Sequence, residues 1–154
     1  MQADRLQTKS VQIATAVFHP KVGPAGIGVI AANAPATDIS SIHEQALGSP
    51  EYLHFLAVLR ALQLGKQIRA GNISILCPDE RIVKLINRET PLEPGSPLAP
   101  LYMRIRALMH TYRLAEVRAV PRSRVEAARK LAAAASRMPA RKTEPQGKLF
   151  AAAG

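Results

Sequence analysis

Three glycines within six residues, Gly23-Pro24-Ala25-Gly26-Ile27-Gly28, lie where one short apolar run (Val11 to Val17) gives way to another (Ile27 to Ala32). Glycine has no Cβ, so such a cluster admits φ > 0 and close backbone approach, and two strands can fold back on each other across it. The first constraint on the fold is therefore an antiparallel hairpin near the N-terminus. A nucleotide loop is excluded. The order is Gly-x-x-Gly-x-Gly, no helical pattern follows it, and no Gly-Lys-Ser/Thr occurs.

The remaining pattern alternates strands with helices. Asn33 to Asp38 carries turn chemistry, and Ile39 to Gln45 suits a third strand paired to the second. Ser49-Pro50-Glu51 is a helix start: a hydroxyl cap, a proline for the first turn, and an acid at the positive end of the dipole. Tyr52, Phe55, Leu56, Leu59, Ala61 and Leu62 predict a helix buried against a sheet, running to Leu64 and stopping at Gly65. Ile73 to Cys77 reads as a buried strand, and Pro78-Asp79-Glu80 opens a short helix to Asn87. A loop bearing Pro91, Pro94, Pro97 and Pro100 leads to a third helix, Leu101 to Tyr112. Ala115 to Val120 is a further strand, and Ser123 caps a last helix ending near Ser136. The order β-β-β-α-β-α-α-β-α implies an α/β domain with a mixed sheet and helices on its faces.

The 154 residues suffice for one domain with a real core. Residues 1–9 read as a flexible lead-in, 10–136 as the domain, and 137–154, rich in Pro, Lys, Gln and Gly, as a disordered basic tail. Net charge is +10, unevenly placed: residues 1–100 hold 9 Lys and Arg against 8 acids, whereas 101–154 hold 12 against 3. Such asymmetry points to a polyanionic partner, with nucleic acid first; a solvated basic face or an acidic protein partner is the alternative. The single Cys77, inside an apolar run, excludes a disulfide framework and reads as a buried thiol. No apolar stretch is long enough to span a membrane and Met1 to Arg5 lacks a secretory flank, so a cytoplasmic protein without a membrane partner is expected. His19, His43, His54 and His110 show no ligand spacing, and each is expected to be structural or exposed.

The order of elements and several local motifs resemble the ribonuclease H-like family, in its reverse-transcriptase-like branch, from Val11 to Ala135. Pro24 to Gly28 is similar to the family's first hairpin, and Glu51-Tyr52 with Leu56 to Gly65 to its Glu-bearing helix. Cys77-Pro78-Asp79-Glu80 resembles the strand that ends in an acid before a helix; Val120-Pro121-Arg122 with Ala128 and Leu131-Ala132 resembles the closing segment. The resemblance implies a ribonuclease H-like five-stranded mixed sheet. It also implies cleavage of RNA in RNA–DNA hybrids by four carboxylates holding two Mg²⁺ ions about 3.5–4 Å apart.

Carried over position by position, two carboxylates are retained, Glu51 and Asp79, and two are lost, to Thr15 and Arg129. Val11 to Ala31 contains no acid in any register, and Glu126 is the one substitute ligand near Arg129. A fixed guanidinium repels metal ions, so Arg129 is expected to pair with Glu51 and Asp79 in place of metal. Without metal, Glu51 is a helix-start residue and Asp79 a cap.

In the family the basic side faces the hybrid, which makes Arg104, Arg106, Arg118, Arg122, Arg124, Arg129 and Lys130 the expected phosphate contacts. In the tail, Gln146, Leu149 and Phe150 form a Gln-x-x-Leu-Phe peptide similar to those that dock bacterial proteins on the DNA sliding clamp. Three readings stand. The leading one is a non-cleaving pseudoenzyme binding RNA–DNA hybrid or RNA, with no cofactor. The others are an active Mg²⁺-dependent ribonuclease using Glu51, Asp79 and a replacement ligand, and a protein-interaction module whose basic surface meets an acidic protein.

Overall fold

The computed structural model describes residues 9–21, 23–31, 37–42 and 50–138. Ser49, the end of the expected third strand and nearly all of the expected tail, with Gln146, Leu149 and Phe150, lie outside the described residues.

The elements are β1 (Ser10–Phe18), β2 (Ala25–Ala31), β3 (Thr37–Ile42), α1 (Pro50–Gln67), β4 (Asn72–Cys77), α2 (Glu80–Ile86), α3 (Ala99–Met109), β5 (Leu114–Ala119), a 3₁₀ turn (Arg122–Val125) and α4 (Glu126–Ser136). One five-stranded sheet has the order β3-β2-β1-β4-β5. The first three strands form an antiparallel meander; β4 and β5 add in parallel beside β1. This is the mixed sheet that the element order implied. Among the described residues, no helix is long and apolar enough to cross a membrane.

Alternation along β1 splits the core in two. Val11 and Ile13 join Ile27, Val29, Ile73, Ile75 and Val117 in the large core shared with α1, α2 and α3. Ala14 and Ala16 join Leu76, Val125 and Ala128 beneath α4. Successive strand side chains point to opposite faces, so one strand serves both cores. Helix α1 buries nine residues, from Leu53 to Gly65, because it lies between the sheet and α3.

Two glycines of the opening cluster act differently from the hairpin reading. Gly23, at φ +99°, takes the turn conformation. Gly26 and Gly28 lie within β2, facing α4. A Cβ on Gly26 would overlap the Ala132 carbonyl oxygen, and one on Gly28 that of Ala128. Buried Ala128, Ala132 and Ala135 complete the match, so a small-residue helix rests directly on strand backbone.

Helix boundaries also depart from expectation. Gly65 does not end α1: its missing Cβ makes room for Tyr112, whose hydroxyl donates to the Leu62 carbonyl, and for Ile73. The chain leaves the helix through Arg69, at φ 60°, as Ala70 N–H donates to the Gly65 carbonyl. Helix α3 stops at Met109, and Tyr112 turns into the core. Ser123 caps nothing; it sits inside the 3₁₀ turn, and α4 begins without a side-chain cap.

Candidate nucleic-acid interface

Strands β1 and β4 are parallel neighbours, with Ala14 opposite Leu76, so Thr15 comes level with the last residue of β4, Cys77. Thr15 is fully buried and its hydroxyl donates to the Leu76 carbonyl at 2.9 Å. The Cys77 thiol lies beneath the turn that follows, 3.8 Å from the Asp79 carbonyl oxygen, and burial pushes its pKa up to about 11. It is a core thiol, as its apolar run implied.

Asp79 follows β4 in extended conformation and caps α2: Oδ1 accepts from Arg81 N–H at 3.0 Å and from Ile82 N–H at 3.3 Å. Its other oxygen, Oδ2, stands 3.9 Å from His54 Nε2. Glu51, in the first turn of α1, pairs with Arg81 at 3.0 Å. Glu51 and Asp79 are thus gathered at one end of the sheet, each already engaged.

The guanidinium expected to engage them is a different one. Arg129 pairs with Glu126, three residues back on α4, at 3.9 Å. The Glu51 partner is Arg81, brought there by the Asp79 cap. Glu126, the one substitute ligand, is thereby accounted for on the exposed face of α4. Among the described residues, no three His, Cys, Asp or Glu side chains are grouped to hold a metal ion. The residues here do not fit a two-metal carboxylate centre: one acid is capping, one is ion-paired, and the hydroxyl at Thr15 is spent on backbone.

His54 is the site residue that sequence reasoning passed over. It lies one turn beyond Glu51 on the same helical face, an i, i+3 relation that spacing for metal ligands did not bring out. Its Nδ1 is buried without a hydrogen-bond partner among the described residues. Burial lowers the His54 pKa; Asp79 and Glu51 pull it up, and Arg122 and Arg81 push it down. In the unfolded chain an ordinary imidazole takes up its proton near pH 6.5. The folded state resists that proton, so stability falls as pH drops below the unfolded value. His54→Gln should flatten the slope of unfolding free energy against pH between 7 and 5; an unchanged slope would assign it to other groups.

The basic residues divide. Arg118 on β5, Arg122 and Arg124 on the 3₁₀ turn, and Arg129 and Lys130 on α4 are exposed, in consecutive elements beside this end of the sheet. Arg106 is half-buried: it donates to the Ile86 carbonyl at 3.0 Å and ties α3 to α2, so the expected phosphate contact is a structural brace. Arg104 lies on α3, in a groove with the C-terminal half of α1.

The sequence profile of the reverse transcriptase-like family matches residues 14–135, from β1 through α4. The chain belongs to the reverse transcriptase-like family. Solved structures agree with that assignment at the level of fold. The N-terminal ribonuclease H domain of Rv2228c from Mycobacterium tuberculosis superposes with a TM-score of 0.70 at 20% identity, covering 84% of this chain and 94% of that one. Ribonuclease H1 from the halophilic archaeon Halobacterium salinarum gives 0.70 at 19% identity, over 82% and 96%. LC11 ribonuclease H1, solved in complex with an RNA/DNA hybrid, gives 0.71 at 20%, over 82% and 96%. The fold is therefore ribonuclease H-like, as the motifs implied. Among curated proteins no sequence matches it.

Proposed function

We propose that this reverse transcriptase-like domain binds RNA–DNA hybrid or RNA through its basic C-terminal third and does not cleave it. One observation carries the reading: both acids are already engaged, Glu51 in an ion pair with Arg81 and Asp79 as the cap of α2. Clustered free carboxylates are what retain a hard divalent cation, and here they are missing. Arg81 offsets the Glu51 charge, and the exposed Arg118, Arg122, Arg124, Arg129 and Lys130 leave this end of the sheet with an excess of positive charge for a phosphate backbone. The hybrid held by LC11 ribonuclease H1 supports hybrid as the first ligand to try.

A labelled hybrid incubated with Mg²⁺ or Mn²⁺ should be shifted in a gel and remain intact. Affinity should fall linearly with salt on logarithmic axes, and Arg122→Glu with Arg124→Glu should weaken binding by about tenfold or more. Cleavage that Glu51→Gln or Asp79→Asn abolishes would instead establish an active Mg²⁺-dependent ribonuclease. Binding of neither hybrid nor RNA would leave a protein-interaction module. The Gln146, Leu149 and Phe150 peptide adds recruitment to the DNA sliding clamp. Leu149→Ala with Phe150→Ala should abolish capture on immobilised clamp while sparing hybrid binding.

A further inference from the structure

Helices α1 and α3 leave a groove of about 520 Å³ along their C-terminal halves. Leu59, Leu108 and exposed Ala107 supply its apolar lining, and Gln63, Lys66, Arg104 and Thr111 its polar lining. Met103, one turn before Ala107 on α3, is 65% exposed and extends the apolar strip. No acidic residue lines the groove. Lys66 is held in place: its Nζ donates to the Thr111 carbonyl at 3.0 Å and lies 4.0 Å from the centre of the Tyr112 ring. A cation fixed in advance loses little entropy when a ligand arrives.

We propose that this groove docks an acidic amphipathic helix of a partner protein, with leucine-like side chains on the apolar lining and carboxylates against Lys66 and Arg104. The chemistry of the groove selects among occupants. Nucleic acid is disfavoured, because no aromatic ring lines the groove for stacking and an apolar lining gives phosphates nothing. The C-terminal segment of this chain is disfavoured too, since residues 139–154 carry three cations (Arg141, Lys142, Lys148) against one acid, Glu144. A helix laid in a groove satisfies both the apolar and the charged lining. Fifteen residues of α1 separate Lys66 from Glu51, roughly 22 Å along the helix, so a docked partner leaves the carboxylate end open.

The test uses the full chain and a fluorescein-labelled peptide of leucine, alanine and glutamate, with leucines at helical three- and four-residue spacing. A twin peptide with lysine in place of glutamate is the control. Anisotropy should report saturable binding of the acidic peptide only, weakened about tenfold by Arg104→Glu and by Ala107→Glu. Both positions are exposed, so the variants should unfold like the parent. Arg124→Glu should weaken hybrid binding and spare the peptide, which separates failure here from failure of the nucleic-acid reading. The proposal is overturned by absent acidic-peptide binding, by equal binding of the lysine peptide, or by indifference to the groove variants. It is also overturned if the groove variants impair hybrid binding instead, or if sedimentation reveals a dimer that Ala107→Glu dissociates.

Discussion

Replacing Gly28 with valine should lower the unfolding free energy by about 3 kcal/mol and the midpoint temperature by roughly 10 °C. The added Cβ would overlap the Ala128 carbonyl oxygen and stand 2.7 Å from the Ala132 amide nitrogen. Both obstacles are helix backbone, which cannot rotate away as a long side chain would. Relief requires α4 to lift from the sheet, opening the small core of Ala14, Ala16, Leu76 and Val125. That helix carries Arg129 and Lys130, and the turn before it carries Arg122 and Arg124, so whatever remains folded should also bind hybrid more weakly. Gly23→Ala is the internal control. Its Cβ meets nothing within 4 Å, and only the positive φ is strained, at a cost of about 1 kcal/mol. Urea unfolding of both variants decides the matter; equal losses would mean that the helix does not rest on the strand as described.

Thr15→Asp should be comparably damaging at neutral pH, by about 3 kcal/mol or more. Thr15 is fully buried and spends its proton on the Leu76 carbonyl. An aspartate there loses the donor and carries a charge into a fully buried position of the sheet. Its folded-state pKa must then lie above the unfolded value near 3.9. The penalty is therefore present above the folded pKa and shrinks as acid neutralises the group, so the variant should approach the parent as pH falls. Thr15→Val, which removes the hydroxyl without adding charge, should cost about 1 kcal/mol. Millimolar Mg²⁺ should leave the Thr15→Asp midpoint unchanged. A rise of several degrees on adding Mg²⁺ would mean that Glu51 and Asp79 can release their partners and complete a metal site, and the non-cleaving reading would fall.

Hydrophobic periodicity and turn chemistry are local properties, and among the described residues they located the strands and α-helices to within a few residues. Pro78-Asp79-Glu80 opened α2 with Asp79 as its cap because capping is decided by the next three residues. The family resemblance, carried by the same local motifs in order, agreed with the matched family and fold. Where spacing was read without the third dimension, it misled. Gly65 looked like a stop, yet its missing Cβ serves Tyr112, which follows α3 in the chain. Two of the three opening glycines serve a helix a hundred residues downstream. Arg106 and Arg122 look alike in the chain, yet one braces α2 and the other is exposed on the turn before α4.

Sequence alone determined which elements form, their order, and the uneven charge. Tertiary structure decided which groups Glu51 and Asp79 meet, because ion pairing depends on distances between α1 and α2 that no local rule sets. Glu51 and Arg81, thirty residues apart, meet only when the sheet has brought α1 and the end of β4 together.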